Sequence, residues 1–272
     1  MPGKYYSYYQ QVADRMAPYL GGRRVSIEHR YPGSSHIVFR RHPSGADTTQ
    51  WIFIDEPQQI VDWVWQYAEG FHGHVRAEDG SAWFVLDIDA RSLPLAMALL
   101  ATAYTAAVLE TQGLAPLVKF SGSNGFHLMW NVPDCKELSD ADLWEIEQRV
   151  VTAVACEVER LLEADDAAAP IRASVGPDKP LITTSSADRE QRAGLLFDQL
   201  ILKDNAPFRV PFSVHPKSGL VSVPLRVEDL AAFDPATATP EAVAEAWEAL
   251  LVPDYSLQQV RAAVAVWETN GC

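Results

Sequence analysis

Basic charge is in short supply. Lys and Arg number 22 against 36 Asp and Glu, a formal net charge of -14. That excludes a protein that holds polynucleotides through a broadly cationic surface, so any such contact must be local. Cysteine is scarce as well: Cys135, Cys156 and Cys272 are widely separated and show no C-x-x-C spacing. Neither a disulfide framework nor a structural zinc site is expected, and a reducing cytoplasm is the natural setting. Long apolar runs are missing. The longest, Leu93 to Leu109, is interrupted by Thr102, Tyr104 and Thr105 and is too short and polar for a membrane span. Met1 to Tyr9 lacks the apolar centre of a signal peptide. What remains is ample for a packed core: 272 residues, 48% hydrophobic and 10% aromatic.

The chain is organised around Phe84-Val85-Leu86-Asp87-Ile88-Asp89. On an extended strand Asp87 and Asp89 share a face while Ile88 points into the core. Two carboxylates so placed suit a hard divalent cation, and paired ions can stabilise the attacking and leaving oxygens of a phosphoryl transfer. An Asp-x-Asp after an apolar strand also fits nucleotide-sugar glycosyltransferases, hydrolases or a plain polar strand end.

Along the chain, Tyr5 to Leu20 reads as a helix stopped by Gly21-Gly22. Arg24 to Arg30 and His36 to Arg41 form a hairpin around Tyr31-Pro32-Gly33-Ser34. Its second strand carries Phe39-Arg40-Arg41-His42, either a solvated edge or a patch where Arg40 and Arg41 meet phosphate and Phe39 stacks on a base. Trp51 to Ile54 reads as a short strand and Gln58 to Tyr67 as a helix with Trp63 and Trp65 in the core; Phe71-His72-Gly73-His74 reads either as a simple loop or as a pair of metal-binding histidines. An apolar helix from Leu93 to Thr111, capped by Ser92 and stopped by Gly113, is expected to pack on both sides. Strand Leu117 to Phe120 leads into Ser121-Gly122-Ser123-Asn124-Gly125-Phe126-His127 and a strand from Leu128. This is either a glycine-rich turn or an anion cradle flanked by Lys119, Ser121 and His127, and it lacks the G-K-[ST] of a P-loop. Ser139 opens a helix through Glu163, and Pro170 to Arg192, with Thr183-Thr184-Ser185-Ser186, reads as a long connection. Gly194 to Asp198 is a second apolar strand ending in a carboxylate. Arg209, His215 and Lys217 then place three phosphate-compatible side chains in one irregular stretch, and two helices opening at Thr239-Pro240 and Ser256 finish the tail.

Together these residues resemble the archaeo-eukaryotic primase superfamily, which includes the small catalytic subunit of replicative primases and the polymerase domain of bacterial DNA ligase D. Asp87-Ile88-Asp89 resembles the first motif, Ser121 to His127 the second (SGxxGxH) and Asp198 the third. Pro211 to Gly219 is closer to the small primase subunit. Leu20 to His42 is closer to the ligase D polymerase domain, as is Glu69 to His74, with His72 at its motif histidine. The likeness spans most of residues 20 to 225. This chain has Ser123 and Asn124 where replicative primases often carry basic residues, and it lacks their cysteine-rich zinc element.

The resemblance implies an α/β fold of the α+β type, with two sheets, flanking helices and a cleft between them. Residues 1–272 would form a single catalytic domain, with 226–272 a helical extension packed on it. It implies a template-dependent nucleotidyltransferase working with two divalent ions, magnesium or manganese, held by Asp87, Asp89 and Asp198. Ser121, Gly122, His127, Arg209 and His215 would grip the triphosphate, with Lys119 and His72 as further candidates, and Phe39, Arg40 and Arg41 would face DNA. Partners would be template and primer DNA and nucleoside triphosphates. A ligase, end-binding protein or primase large subunit, if used, would be a separate chain. The setting would be cytoplasmic, on the nucleoid in a prokaryote. A catalytically reduced nucleic-acid-binding module is the alternative, with a sugar-nucleotide transferase behind it.

Overall fold

A computed structural model describes residues 3–43, 48–184, 194–199 and 206–272. Helix α1 (Tyr6–Met16) leads through a 3-10 turn at Ala17–Tyr19 into β1 (Arg23–His29) and β2 (Val38–Arg40). Then come α2 (Pro57–Trp65), β3 (Ala68–Ala77), β4 (Ala82–Asp89), α3 (Leu95–Thr111), β5 (Leu117–Phe120), β6 (Gly125–Val132), α4 (Asp140–Glu163) and α5 (Ala169–Val175). Strands β7 (Ile182–Thr183), β8 (Leu195–Phe197), β9 (Pro207–Arg209) and β10 (Pro224–Leu225) precede α6 (Pro240–Ala246) and α7 (Leu257–Thr269).

The strands pair in the order β10-β5-β6-β4-β3-β1-β2, with β8 added on β4, β7 on β8 and β9 on β3. All pairs are antiparallel except β7 with β8. Strands β3 and β4 meet only through Arg76 opposite Ala82. The path therefore behaves as two sheets hinged there, one of β1, β2, β3 and β9, the other of the strands around β4. Arg23 braces the joint. Its guanidinium lies 3.6 Å over the Trp83 ring and donates to the carbonyl of His74 and to Asn131 Oδ1.

Local chemistry explains most boundaries. Ser139 caps α4, accepting from Asp142 N while the Asp142 carboxylate accepts from Ser139 N. Glycine at +72° follows α3 at Gly113. Its start differs from expectation: Pro94, not Ser92, occupies the cap position, because a proline just ahead of the first turn holds extended backbone and delays the helix. Helix α3 packs against β6 and β4 on one side and α4 on the other.

Three other sequence expectations change. Phe71 to His74 is not a loop but the middle of β3, a ten-residue strand buried along most of its length. Trp65 stands on the surface, 55% exposed, with its ring edge against Tyr6. Within the stretch read as a long connection, α5 and β7 form; residues 185–193 lie outside the described residues.

Cys156 on α4 and Cys272 just beyond α7 form a disulfide, with Cα atoms 5.6 Å apart and a sequence separation of 116. Spacing gave no sign of it because two helices packed side by side bring the thiols together, reinforced by Arg149 and Glu268 at 2.8 Å. Reduction, or Cys272→Ser, should lower stability by about 2–4 kcal/mol, read as a drop in Tm with reductant. An unchanged Tm would show that helix packing alone suffices.

Glu147 is one of two carboxylates among the buried residues of α4, and unlike Glu157, which pairs with Arg160, it makes no ion pair among the described residues. It is buried, and its Oε1 has no hydrogen-bond partner among the described residues. Burial raises its carboxyl well above the ordinary 4.5, with Arg76 opposing. The folded protein thus keeps a proton that the unfolded chain releases, so stability is fully present below about pH 4.5 and declines as pH rises. Glu147→Gln should raise Tm, and the gain over wild type should grow between pH 5 and pH 8. A constant difference across that range would contradict the protonated carboxyl.

Candidate active site

Strand register assembles the site. Across four strands, Lys119 on β5 lies opposite His127 on β6, and His127 opposite Asp87 on β4. Strand β8 continues the row. Phe197 pairs with Ile88, and Asp198 N donates to the Asp87 carbonyl at 2.9 Å, which sets Asp198 beside Asp87. Residues directly opposite in an antiparallel pair project from the same face, so Lys119, His127, Asp87 and Asp198 form one line, with Asp89 one step along.

Gly125, opposite Asp89, is needed by this arrangement. A Cβ there would meet the Ile88 carbonyl and stand 2.6 Å from Asp89 Oδ1. In the same loop, Gly122 takes a φ of +86° and its carbonyl accepts from Ser218 Oγ at 2.6 Å, tying the second motif to the stretch that carries His215. Ser121 Oγ accepts from the amides of Ser123 and Gly125, so these two donors close the turn and do not face a ligand. The anion-cradle expectation is narrowed accordingly.

The other wall comes from the first sheet. His72 on β3 lies opposite Arg209 on β9. A cavity of about 560 Å³ opens between the walls, lined by Asp87, Asp89, Ser121 and His127 on one side and by His72, Arg209 and His215 on the other. Seven expected residues therefore share one cleft. A second cavity, of about 540 Å³, is lined by Arg24, Arg76 and Glu147 and lacks the carboxylate row; chemistry, not volume, separates the two.

Five expected residues take positions outside the cleft lining. Lys119 is fully buried behind His127 and donates to Ser222 Oγ at 3.0 Å. Asp198 is buried beside Asp87. Phe39 and Arg40 lie on edge strand β2, and the half-exposed Phe39 meets the His72 ring edge-on at 5.4 Å. Arg40 rests 5.1 Å over Trp63 and donates to the carbonyls of His42 and Pro43. Arg41 is exposed just past β2.

Electrostatics set the character of the cleft. Burial, then Lys119 and Arg209, pushes His127 well below its ordinary value, so the imidazole beside Asp87, with Nε2 3.2 Å from Oδ1, is neutral. Burial, then Arg209, lowers both His72 and His215 to about 4. Burial likewise pulls Lys119 well below its ordinary value, with Asp87 opposing. With the histidines neutral, Arg91 and Arg209 are the arginines that line the cleft together with Asp87 and Asp89, and Asp198 lies beside Asp87. A triphosphate entering that field is repelled unless cations accompany it.

The carboxylates fit that need in kind, being hard oxygen donors on adjoining strands. Among the described residues, however, no group of three or more His, Cys, Asp and Glu side chains makes a ready-built metal site. The three-carboxylate cluster expected from sequence is thus aligned by register but not closed. His72 Nδ1 and His127 Nδ1 are buried without a hydrogen-bond partner among the described residues, two donors or acceptors awaiting one.

Two residues at the site were not singled out from the sequence. Arg91 lines the cleft with a φ of +51°, its carbonyl accepting from Asn124 Nδ2 at 2.8 Å. Glu28 reaches from β1 to within 2.8 Å of Arg209 Nη1. Its signal was present: a lone carboxylate within Val25 to Glu28, a run buried on both faces.

No curated protein matches the chain in sequence. Among solved structures it is similar to the polymerase domain of Mycobacterium tuberculosis ligase D, determined in complex with DNA, at 17% identity and a TM-score of 0.64, covering 98% of this chain and 88% of that one. That likeness supports the fold: antiparallel sheets with flanking helices, as the α+β expectation required. The family described as LigD, primase-polymerase domain, matches residues 3–253, and the chain belongs to that family, within the archaeo-eukaryotic primase superfamily.

Proposed function

We propose that this chain is a template-dependent nucleotidyltransferase that adds nucleotides from NTPs or dNTPs to a nucleic-acid 3′-hydroxyl, in end-joining repair or in priming. The observation that supports the reading is the strand register that sets Asp198 beside Asp87, which itself lines one cleft with Arg209 and His215. Magnesium or manganese held by Asp87, Asp89 and Asp198 would neutralise triphosphate charge and activate the attacking hydroxyl. Arg209 and Arg91 supply fixed positive charge to phosphate, while neutral His72, His127 and His215 supply ring nitrogens that donate or accept without adding repulsion between cations. Ser121 and Gly122 shape the turn beneath them. We read residues 1–272 as one catalytic unit, with α6 and α7 braced on α1 and α4.

DNA is assigned to the β2 side. That edge is the local basic and aromatic surface on an acidic protein, and the solved ligase D polymerase domain is a DNA complex. Reversing both charges, Arg40→Glu with Arg41→Glu, should weaken DNA binding about tenfold or more at low salt and flatten its salt dependence. Unchanged affinity at low salt would remove this edge from the DNA path.

The binding-module alternative leaves the aligned carboxylates without a task. A sugar-nucleotide transferase leaves Asp198 and the His215 stretch unexplained. Purified protein incubated with manganese, labelled nucleotides and single-stranded template, with and without a primer, separates the readings. Product from primed ends alone indicates repair synthesis, and product without a primer indicates priming. No product in either arm refutes the polymerase reading.

A further inference from the structure

A buried carboxylate behind a cleft that takes a triphosphate works against it by simple repulsion. Glu28 is such a group: it is nearly inaccessible, and its Oε2 lies 2.8 Å from Arg209 Nη1 and 3.2 Å from His72 Nε2. The contacts around Arg209 suggest what offsets the repulsion. A single terminal nitrogen, Nη1, serves Glu28, the Val214 carbonyl and, at 3.4 Å, Ser213 Oγ. Nε and Nη2 have no protein partner among the described residues, and Arg209 lines the cleft. One end of the fork is pinned to the protein while the other edge is left for an anion.

Backbone geometry clears the way for this contact. Gly70 on β3 lies directly opposite Glu28 on β1, and a side chain at that position would strike the carboxylate and come within 2.7 Å of Arg209 Nη1. On the other side of β1, Glu28 lies opposite Phe39 of β2, whose ring meets His72. Glu28 therefore stands where the edge strand, the cleft histidine and the cleft arginine converge.

We propose that Glu28 is a positioning residue of the nucleotide site, holding Arg209 and His72 so that the free edge of the guanidinium receives the triphosphate. This rests on the nucleotidyltransferase reading above. It assigns Glu28 no contact with substrate.

The variants separate geometry from charge. Glu28→Asp keeps the charge but withdraws the acceptor by one methylene; Glu28→Gln keeps the shape and an acceptor oxygen. Titration of ATP in the presence of manganese, followed by calorimetry, should show Glu28→Asp weakened about tenfold, the size of one charge-assisted hydrogen bond. Glu28→Gln should recover most of the affinity that Glu28→Ala loses. In primer extension, Glu28→Asp should raise the nucleotide KM more than it lowers kcat. In an Arg209→Gln background, Glu28→Asp should add no further loss, a coupling that a merely structural carboxylate does not produce. Wild-type affinity in Glu28→Asp, or the same loss with and without Arg209, would overturn the proposal while leaving the polymerase reading standing. A wild-type protein that binds no ATP would overturn both.

Discussion

Replacing Asp87 with alanine is expected to reduce nucleotide incorporation by about a thousandfold or more, because losing a carboxylate that anchors divalent cations removes several kcal/mol of transition-state stabilisation. The fold should survive. Asp87 turns its side chain to the cleft, its ladder bonds to β6 and β8 are made by backbone atoms, and the imidazole beside it is neutral and leaves no orphaned charge. Extension rate and thermal melting on the same preparation check both halves. Activity within tenfold of wild type would remove Asp87 from the chemistry, and a collapsed Tm would make its role structural.

Arg209→Ala should act twice. With the guanidinium gone, the cleft loses a fixed cation and the nucleotide KM should rise about tenfold to a hundredfold. Glu28 is meanwhile left in a buried site without its main partner. Burial by itself raises that carboxyl, but His72 and Arg209 together hold it down at about 2. Stability from this depressed carboxyl is present above its ordinary 4.5 and is lost as pH falls toward 2. Removing Arg209 forfeits much of it at neutral pH, a loss of about 3–5 kcal/mol for a broken buried pair. Arg209→Lys should not restore nucleotide affinity, since an ammonium cannot serve Glu28 and a phosphate along two edges. A normal KM in Arg209→Ala would move triphosphate binding elsewhere in the cleft.

Much of this site could be read from residues alone, for reasons that differ by residue. Asp87 and Asp89 follow from strand alternation after an apolar run, and Ser139 from the cap chemistry of α4. The hairpin turn was legible because Gly33 adopts a φ of +79° beside Pro32. What escaped was long-range. His72 faces Arg209 across a pair of strands far apart in sequence, and no local pattern announces that register. Phe71 to His74 reads as a loop in the sequence, yet it is strand, and the glycines in it and just before it are what a crowded strand requires, Gly70 beneath Glu28 and Gly73 against Val210. Lys119 looked like a pocket residue from its place before the glycine-rich turn, yet register puts it behind His127, where Ser222 takes its ammonium. The Cys156–Cys272 bond depends on helix packing that spacing cannot express.

The central claim, that Asp87, Asp89 and Asp198 gather divalent ions against a nucleotide held by Arg209 and His215, is tested most directly by a crystal structure with manganese and a non-hydrolysable nucleoside triphosphate. Anomalous manganese density bounded by the three carboxylates, with the triphosphate against Arg209, is the expected result. Nucleotide bound elsewhere, or bound in the cleft with manganese away from those carboxylates, would contradict it.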